Sequence, residues 1–319
     1  MTETANPPRD VQIVEVGARD GLQNEKEVIG TDDKVTLITR LLDAGVRRIE
    51  VASFVHPKRV PQMADAEAVI AALPDRADVS YIGLCLNRRG VHRAIAAGEG
   101  NKRGVDEAGC VLVASDTFGQ KNQGQTISEG IAENRAMIRL AQEHGLKAQV
   151  TISAAFGCPF EGPVPVETVV RCCAEMAEAG AGEIALADTI GVAVPADVRA
   201  RVAAVRAEIG DDIPLRAHFH DTRGMGMANA WAAYEAGVNV LDSSLGGLGG
   251  CPFAPNATGN IATEDLVYLL ETSGVGTGVD LQAAIATNHW FEPVIGKPLP
   301  SVVAKAGIPT GWRTDRGAQ

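Results

Sequence analysis

The sequence predicts an α/β fold, a closed (β/α)8 TIM barrel with a short C-terminal helical extension. Three observations carry this. From residue 11 onward, short apolar runs alternate with longer amphipathic segments, the pattern of repeated strand and helix units. Eight such units follow one another without a break in composition. No Gly-x-Gly-x-x-Gly follows the first apolar run, so the open, doubly wound alternative lacks its usual signature. A length of 319 residues exceeds the common single-domain size, but barrels of this class reach it as one domain.

The elements follow in order. The first strand spans 11–16, and its helix 31–44 opens on Thr31, Asp32 and Asp33 and stops at Gly45. Strand 48–52 precedes a helix at 64–73, strand 79–86 a helix ending at Gly98, and strand 109–115 a helix at 128–144. In the second half, strand 147–154 leads to helix 165–179 and strand 183–187 to helix 195–209. The seventh strand lies in the run Leu215-Arg216-Ala217-His218-Phe219-His220-Asp221-Thr222 and leads to a helix at 227–236. The eighth, 240–244, enters a glycine-rich loop and then a helix at 262–270. The predicted organisation is a disordered N-terminus at 1–10, a barrel at 11–273, and a C-terminal helix (280–295) and tail at 274–319 packed on the barrel.

Composition narrows the function. With 45% hydrophobic and only 4% aromatic residues, the expected core is large and aliphatic. A net charge of −11 argues against nonspecific nucleic-acid binding and against an anionic membrane surface. An anionic substrate would need a local basic pocket. The six cysteines, Cys85, Cys110, Cys158, Cys172, Cys173 and Cys251, lack metal-type spacing and read as free thiols in a reducing compartment. With no apolar leader and no membrane-length run, the expectation is a soluble cytoplasmic protein.

His218 and His220 stand two apart on the seventh strand, so both imidazoles share a face. Two readings fit the pair alone: a two-histidine divalent-metal site, or two hydrogen-bonded histidines in the barrel interior. Oxygen ligands elsewhere would favour the first.

In such a barrel the functional face lies at the C-terminal ends of the strands. Polar residues collect there: Arg19, Asp20 and Gln23 after strand one, Glu50 and Ser53 at strand two, Asp188 and Thr189 after strand six. Closure sets strand eight between strands seven and one, so Asp20, His218, His220 and Asn260 can meet over the mouth. One carboxylate, two imidazoles and one amide oxygen suit a catalytic divalent ion. Taken singly, Asp20 also reads as a loop cap and Asn260 as a helix cap. Gly246-Gly247-Leu248-Gly249-Gly250-Cys251-Pro252 places a thiol at the tip of a pliable loop that could close over substrate. Burial in the core is the ordinary fate of a cysteine, but a glycine-rich loop is a poor place for it.

Together these residues resemble the 3-hydroxy-3-methylglutaryl-CoA lyase family over about residues 11–310. The motifs are Glu15-Val16-Gly17-Ala18-Arg19-Asp20-Gly21-Leu22-Gln23-Asn24-Glu25, Ile49-Glu50-Val51, Pro61-Gln62-Met63, Ala187-Asp188-Thr189-Ile190-Gly191, His218-Phe219-His220-Asp221-Thr222, the Gly-Gly-Cys-Pro loop, and Gly259-Asn260 followed by Ala262-Thr263-Glu264-Asp265. The resemblance implies Mg²⁺ or Mn²⁺ on Asp20, His218, His220 and Asn260, and cleavage of a 3-hydroxyacyl-CoA to acetyl-CoA and a keto acid. It gives Arg19 the thioester oxygen and Glu50 the orientation of Arg19 or a proton transfer. His218 or Asp188 would assist deprotonation, and Cys251 would protonate the enolate. Gln23, Ser53 and Thr189 would line the pocket and Lys26 would meet the CoA moiety. The resemblance also implies a homodimer.

Departures surround the acyl pocket. Arg223-Gly224-Met225 stands where the family usually has Tyr then Gly-Gln, and Leu86-Asn87 where Pro-Asn is common. Asn122-Gln123-Gly124-Gln125 also diverges. A related lyase acting on citramalyl-CoA, giving pyruvate and acetyl-CoA, is therefore the second expectation. A catalytically silent CoA-binding barrel predicts loss of at least one of Arg19, Asp20, His218, His220, Cys251 or Asn260, and all six are present.

Overall fold

The computed structural model describes residues 10–100, 102–249 and 259–311. Eight parallel strands close into one barrel: β1 (Gln12–Glu15), β2 (Arg48–Ser53), β3 (Ser80–Cys85), β4 (Glu107–Val113), β5 (Lys147–Ser153), β6 (Ile184–Asp188), β7 (Leu215–Phe219) and β8 (Val240–Ser243). Each strand pairs with its neighbours in sequence, and β1 closes on β8 with Gln12 opposite Val240 and Glu15 opposite Ser243. The eight-unit expectation therefore holds strand by strand.

Helices cover the barrel: α1 (Thr31–Asp43), α2 (Ala66–Ala72), α3 (Arg88–Ala97), α4 (Asp116–Asn122), α5 (Ile127–Glu143), α6 (Val166–Glu178), α7 (Pro195–Ile209), α8 (Gly226–Glu235), α9 (Thr263–Thr272), α10 (Leu281–Ile295) and α11 (Val302–Ala306). α1 shows the principle. Leu37, Ile38, Leu41 and Leu42 recur at helical spacing and are fully buried against the strands. The helix stops at Gly45, whose φ of +101° favours glycine, and a Cβ there would lie 2.2 Å from the Gly278 carbonyl oxygen. α5 starts on a reciprocal capping box between Thr126 and Glu129.

Short elements lie outside the sequence reading, α4, α11 and a ribbon after β5 among them. α4 is seven residues long, too short to show a period, and is started by the Ser115 hydroxyl accepting the Phe118 amide. After β5 a small antiparallel ribbon pairs Gly157–Cys158 with Gly162–Pro163. At the C-terminal end, α10 lies on α1, where Arg40 sits 4.7 Å over the Trp290 ring and the Asp280 amide donates to Ala44. Asp265 on α9 accepts from Ser301 and Val303 and so holds the start of α11. No helix among the described residues is long and apolar enough to cross a membrane.

The aliphatic core expected from composition fills the layer between strands and helices. The lumen differs. Val14, Val16, Ile82 and Val240 form a small apolar cluster there, and beside it runs a ladder of buried charges. Arg48 bonds Glu107 at 2.8 Å and Glu183 at 2.6 Å. Arg216 stands 3.3 Å from Glu183 and 3.5 Å from Asp242, and Asp242 accepts from His218. Charges this deep persist because each faces an opposite charge.

Candidate active site

The site is built at the strand C-termini. After β1 the chain makes a single π-helical turn, Gly17–Gly21, that brings Arg19 and Asp20 over the mouth. Arg19 Nε donates to Glu50 Oε2 at 2.7 Å and Nη1 to Asp20 Oδ1 at 2.6 Å, so the guanidinium is held in one plane between two carboxylates. Just past β7, His220 forms a bridge with Asn260, where the returning chain runs antiparallel to it. The Asn260 side-chain nitrogen donates to Asp20 Oδ2 at 2.8 Å and to the Leu248 carbonyl at 3.0 Å.

Ligand atoms of Asp20, His218 and His220 all lie within 4.8 Å of one another. Each imidazole is oriented through Nδ1: His218 donates to Asp242 Oδ2 and His220 to the Asp188 carbonyl, both at 3.0 Å. Those bonds leave Nε2 of each ring as the donor atom for a ligand. Burial, reinforced by the charge of His218, pushes the His220 pKa down to about 4. Burial works the same way on His218, but the hydrogen bond and charge of Asp242 outweigh it and raise its pKa. Burial alone would raise Asp20, but Arg19, His218, His220 and the Asn260 hydrogen bond hold its carboxyl well below the usual range. The Asn260 Oδ1 atom is buried and has no hydrogen-bond partner among the described residues. An anionic carboxylate, two oriented imidazoles and an unpaired amide oxygen fit a hard to intermediate divalent cation.

A cavity of about 450 Å³ opens beside these groups. Arg19, Asp20, Glu50, His218 and His220 line one side, and Leu84, Leu86, Val111, Val113 and Phe118 the other. Such a space accepts a ligand with an anionic, oxygen-rich head and an apolar body. Gln23 and Thr189 line it. The Thr189 hydroxyl is tied to Ser153 at 3.0 Å and accepts the Ala154 amide at 2.8 Å.

Three residues sit elsewhere. Ser53 is fully buried, with its hydroxyl accepting the Val55 amide, and is not on the cavity wall. Lys26 is exposed and off the wall. The Asp188 carboxylate accepts the Val192 and Ala193 amides, both at 2.9 Å, and its carbonyl is what touches the site. Its pKa is raised by burial, against those two amide bonds. Cys251 lies outside the described residues. Asp242, Thr151, Ser153 and Arg59 line the cavity without having been singled out. Asp242 had a signal, because an acid two residues beyond Val240 on a strand faces the same way as that lumen residue.

A closed (β/α)8 barrel with a carboxylate, two imidazoles and an amide gathered at its strand C-termini is an enzyme-type barrel with a divalent-cation donor set. The HMGL-like family profile matches residues 10–290, and the chain belongs to that family. It is 44% identical to (R)-citramalyl-CoA lyase of Chloroflexus aurantiacus, covering 93% of this chain and 95% of that one. It is 42% identical to hydroxymethylglutaryl-CoA lyase YngG of Bacillus subtilis, covering 92% and 96%. Among solved structures it matches the Bacillus subtilis HMG-CoA lyase with a TM-score of 0.89 and 41% identity, covering 94% of this chain and 99% of that one. An HMG-CoA lyase from Acinetobacter baumannii in complex with coenzyme A and 3-methylmalate matches with a TM-score of 0.89 and 39% identity, covering 95% and 97%.

Proposed function

We propose that this chain is a hydroxymethylglutaryl-CoA lyase, cleaving 3-hydroxy-3-methylglutaryl-CoA to acetyl-CoA and acetoacetate. The observation that carries this is the meeting of Arg19 with the Asp20, His218, His220 and Asn260 donor set at one wall of an amphipathic cavity. Relatives that share the chain over nearly its whole length are lyases of acyl-CoA substrates by name.

In this reading Asp20, His218, His220 and Asn260 hold Mg²⁺ or Mn²⁺. A bound ion would supply Lewis acidity, lowering the pKa of the substrate's tertiary hydroxyl. As that hydroxyl's proton passes to the Glu50 oxygen that Arg19 leaves uncontacted, the O–H electron pair becomes the carbonyl π bond of acetoacetate. The adjacent carbon–carbon bond breaks and its electrons pass into the thioester as an enolate. Arg19, fixed by Glu50, places a guanidinium where the enolate oxygen gains charge. Glu50 acts mainly by orienting Arg19, since both contacts fall on one carboxylate oxygen and leave the other for a proton. His218 offers one outward nitrogen, which ligates or accepts a proton but cannot do both at once. The Asp188 carboxylate already holds two amides, so it contributes by orienting His220 through its carbonyl. Cys251 returns a proton to the enolate carbon, Gln23 and Thr189 contact the acyl group, Ser53 supports that wall from behind, and Lys26 meets the CoA moiety at the rim. A cytoplasmic homodimer completes the proposal.

The 44% identity to a citramalyl-CoA lyase supports a second substrate, one methylene shorter between the carbinol carbon and the free carboxylate. Assays of acetyl-CoA release from both thioesters, with Mg²⁺ and with Mn²⁺, test the assignment. Acetoacetate formed at the higher kcat/KM supports the proposal, pyruvate formed at the higher kcat/KM replaces it with the second substrate, and turnover of neither refutes both.

A further inference from the structure

Glu15 ends β1 with its side chain on the outer face of the barrel, fully buried beneath α9. Among the described residues it forms no ion pair. A carboxyl so placed is unfavourable unless several donors need it. Three do. Oε1 accepts the Gly17 amide at 2.7 Å and the Leu245 amide at 2.9 Å, and Oε2 accepts the Thr263 hydroxyl at 2.5 Å. Gly17 opens the turn that carries Arg19 and Asp20, and Leu245 opens the glycine-rich loop after β8. Thr263 follows Asn260 by three residues and also meets Ser243 on β8. A side chain at position 17 would bring its Cβ to 2.6 Å from Glu15 Oε1, so the close approach requires glycine there.

We infer that Glu15 is a positioning residue whose buried carboxyl ties the Arg19–Asp20 turn to the base of the glycine-rich loop and to the Asn260 segment. It touches no substrate atom and acts through the elements it joins. The inference rests on the proposed lyase reading for its catalytic consequence, but the tie itself is a property of the folded chain.

The tie has two charge states. Burial, opposed by the three hydrogen bonds, pushes the Glu15 pKa up to about 7, and Asp242 adds to the rise. Glu264 on α9, also acidic, interacts with it as well. A neutral Glu15 keeps every contact: Oε1 still accepts two amides, while Oε2–H donates to Thr263, whose own hydroxyl donates to Ser243. Glutamine copies that arrangement, with its amide nitrogen donating to Thr263. Aspartate, one methylene shorter, cannot reach all three donors.

Glu15→Asp and Glu15→Gln test the proposal by two routes. The first is amide hydrogen exchange in the absence of substrate. Glu15→Asp should raise exchange at 16–23 and at 245–249 together by about tenfold or more, with Glu15→Gln close to wild type. The second is kinetic, on whichever thioester the wild type cleaves. Glu15→Asp should lower kcat by about 10²-fold with KM little changed, because a small misplacement of Arg19 acts on the transition state. Glu15→Gln should restore most of that turnover. If Glu15→Asp fails to fold, Thr263→Val, which removes one donor and keeps the shape, should raise exchange at both segments. Exchange that rises at one segment only, or a kcat loss that glutamine does not rescue, overturns the tie. A wild type that cleaves neither thioester refutes the lyase reading and leaves the exchange test standing.

Discussion

Asn260 gives its amide nitrogen to Asp20 at 2.8 Å and keeps its amide oxygen, buried, without a partner among the described residues. An orphaned buried acceptor is costly unless something binds there. We therefore expect one Mn²⁺ per chain by calorimetry or by electron paramagnetic resonance, and Asn260→Ala should weaken it by at least about tenfold. Turnover should vanish on chelation and return with Mg²⁺ or Mn²⁺. Full activity in a metal-free sample would contradict the donor set.

Arg19 is wedged between Glu50 and Asp20, which fixes its direction before substrate arrives. Arg19→Lys keeps the charge but loses the planar fork. We expect kcat to fall by about 10²-fold or more with modest change in KM. A variant altered only in KM would remove Arg19 from the transition state.

Cys251→Ser should keep the fold and the metal affinity but lose most turnover, because a hydroxyl is a far weaker acid than a thiol of pKa about 8.5. Turnover at the wild-type level would show the thiol to be dispensable.

Glu264 accepts the Gly246 amide and the Asn288 side chain, and burial pushes its pKa from 4.5 up to about 8. Between those two values the unfolded chain has released the proton and the folded chain still holds it. The group's stabilising contribution is therefore complete below pH 4.5 and is lost progressively as pH rises to about 8. Glu264→Gln should raise Tm relative to wild type at pH 8.5 and change it little at pH 5, an effect of a few kcal/mol in order of magnitude. A wild-type protein and variant with parallel Tm profiles across that range would disprove the linkage.

Arg48→Met leaves Glu107 without its bidentate partner and strips one cation from Glu183. The expected loss is about 3–5 kcal/mol by urea unfolding, typical of a broken buried ion pair. A variant as stable as wild type would mean that water reaches the lumen and screens both acids.

These effects separate what was legible in the sequence from what was not. The strands announce themselves as short apolar runs, and most helices as the longer segments between them, because each packs against its neighbours in the closed barrel. α4 is anchored by one serine cap and a few contacts, and nothing in seven residues sets a period. Asp20, His218, His220 and Asn260 were visible as unusual types at strand ends. Arg48, Glu107, Glu183 and Arg216 were not, because a charge alternating along a strand looks like a solvated face. Only closure of the sheet turns that face inward, where the four charges must find each other. The same limit applies to Asp188: its type and position suggested chemistry, and only coordinates show its oxygens turned to Val192 and Ala193.

Closure between β1 and β8 has a further meaning for how the molecule is made. Asp20 and Asn260 are separated by 240 positions, so a ribosome finishes one donor long before it begins the other. Until the last strand docks beside the first, a growing chain can offer the two imidazoles and the carboxylate no common centre. The donor set is thus assembled only when the sheet closes, and a fragment halted before β8 would lack both Asn260 and the closure that brings Asp20 to the two imidazoles.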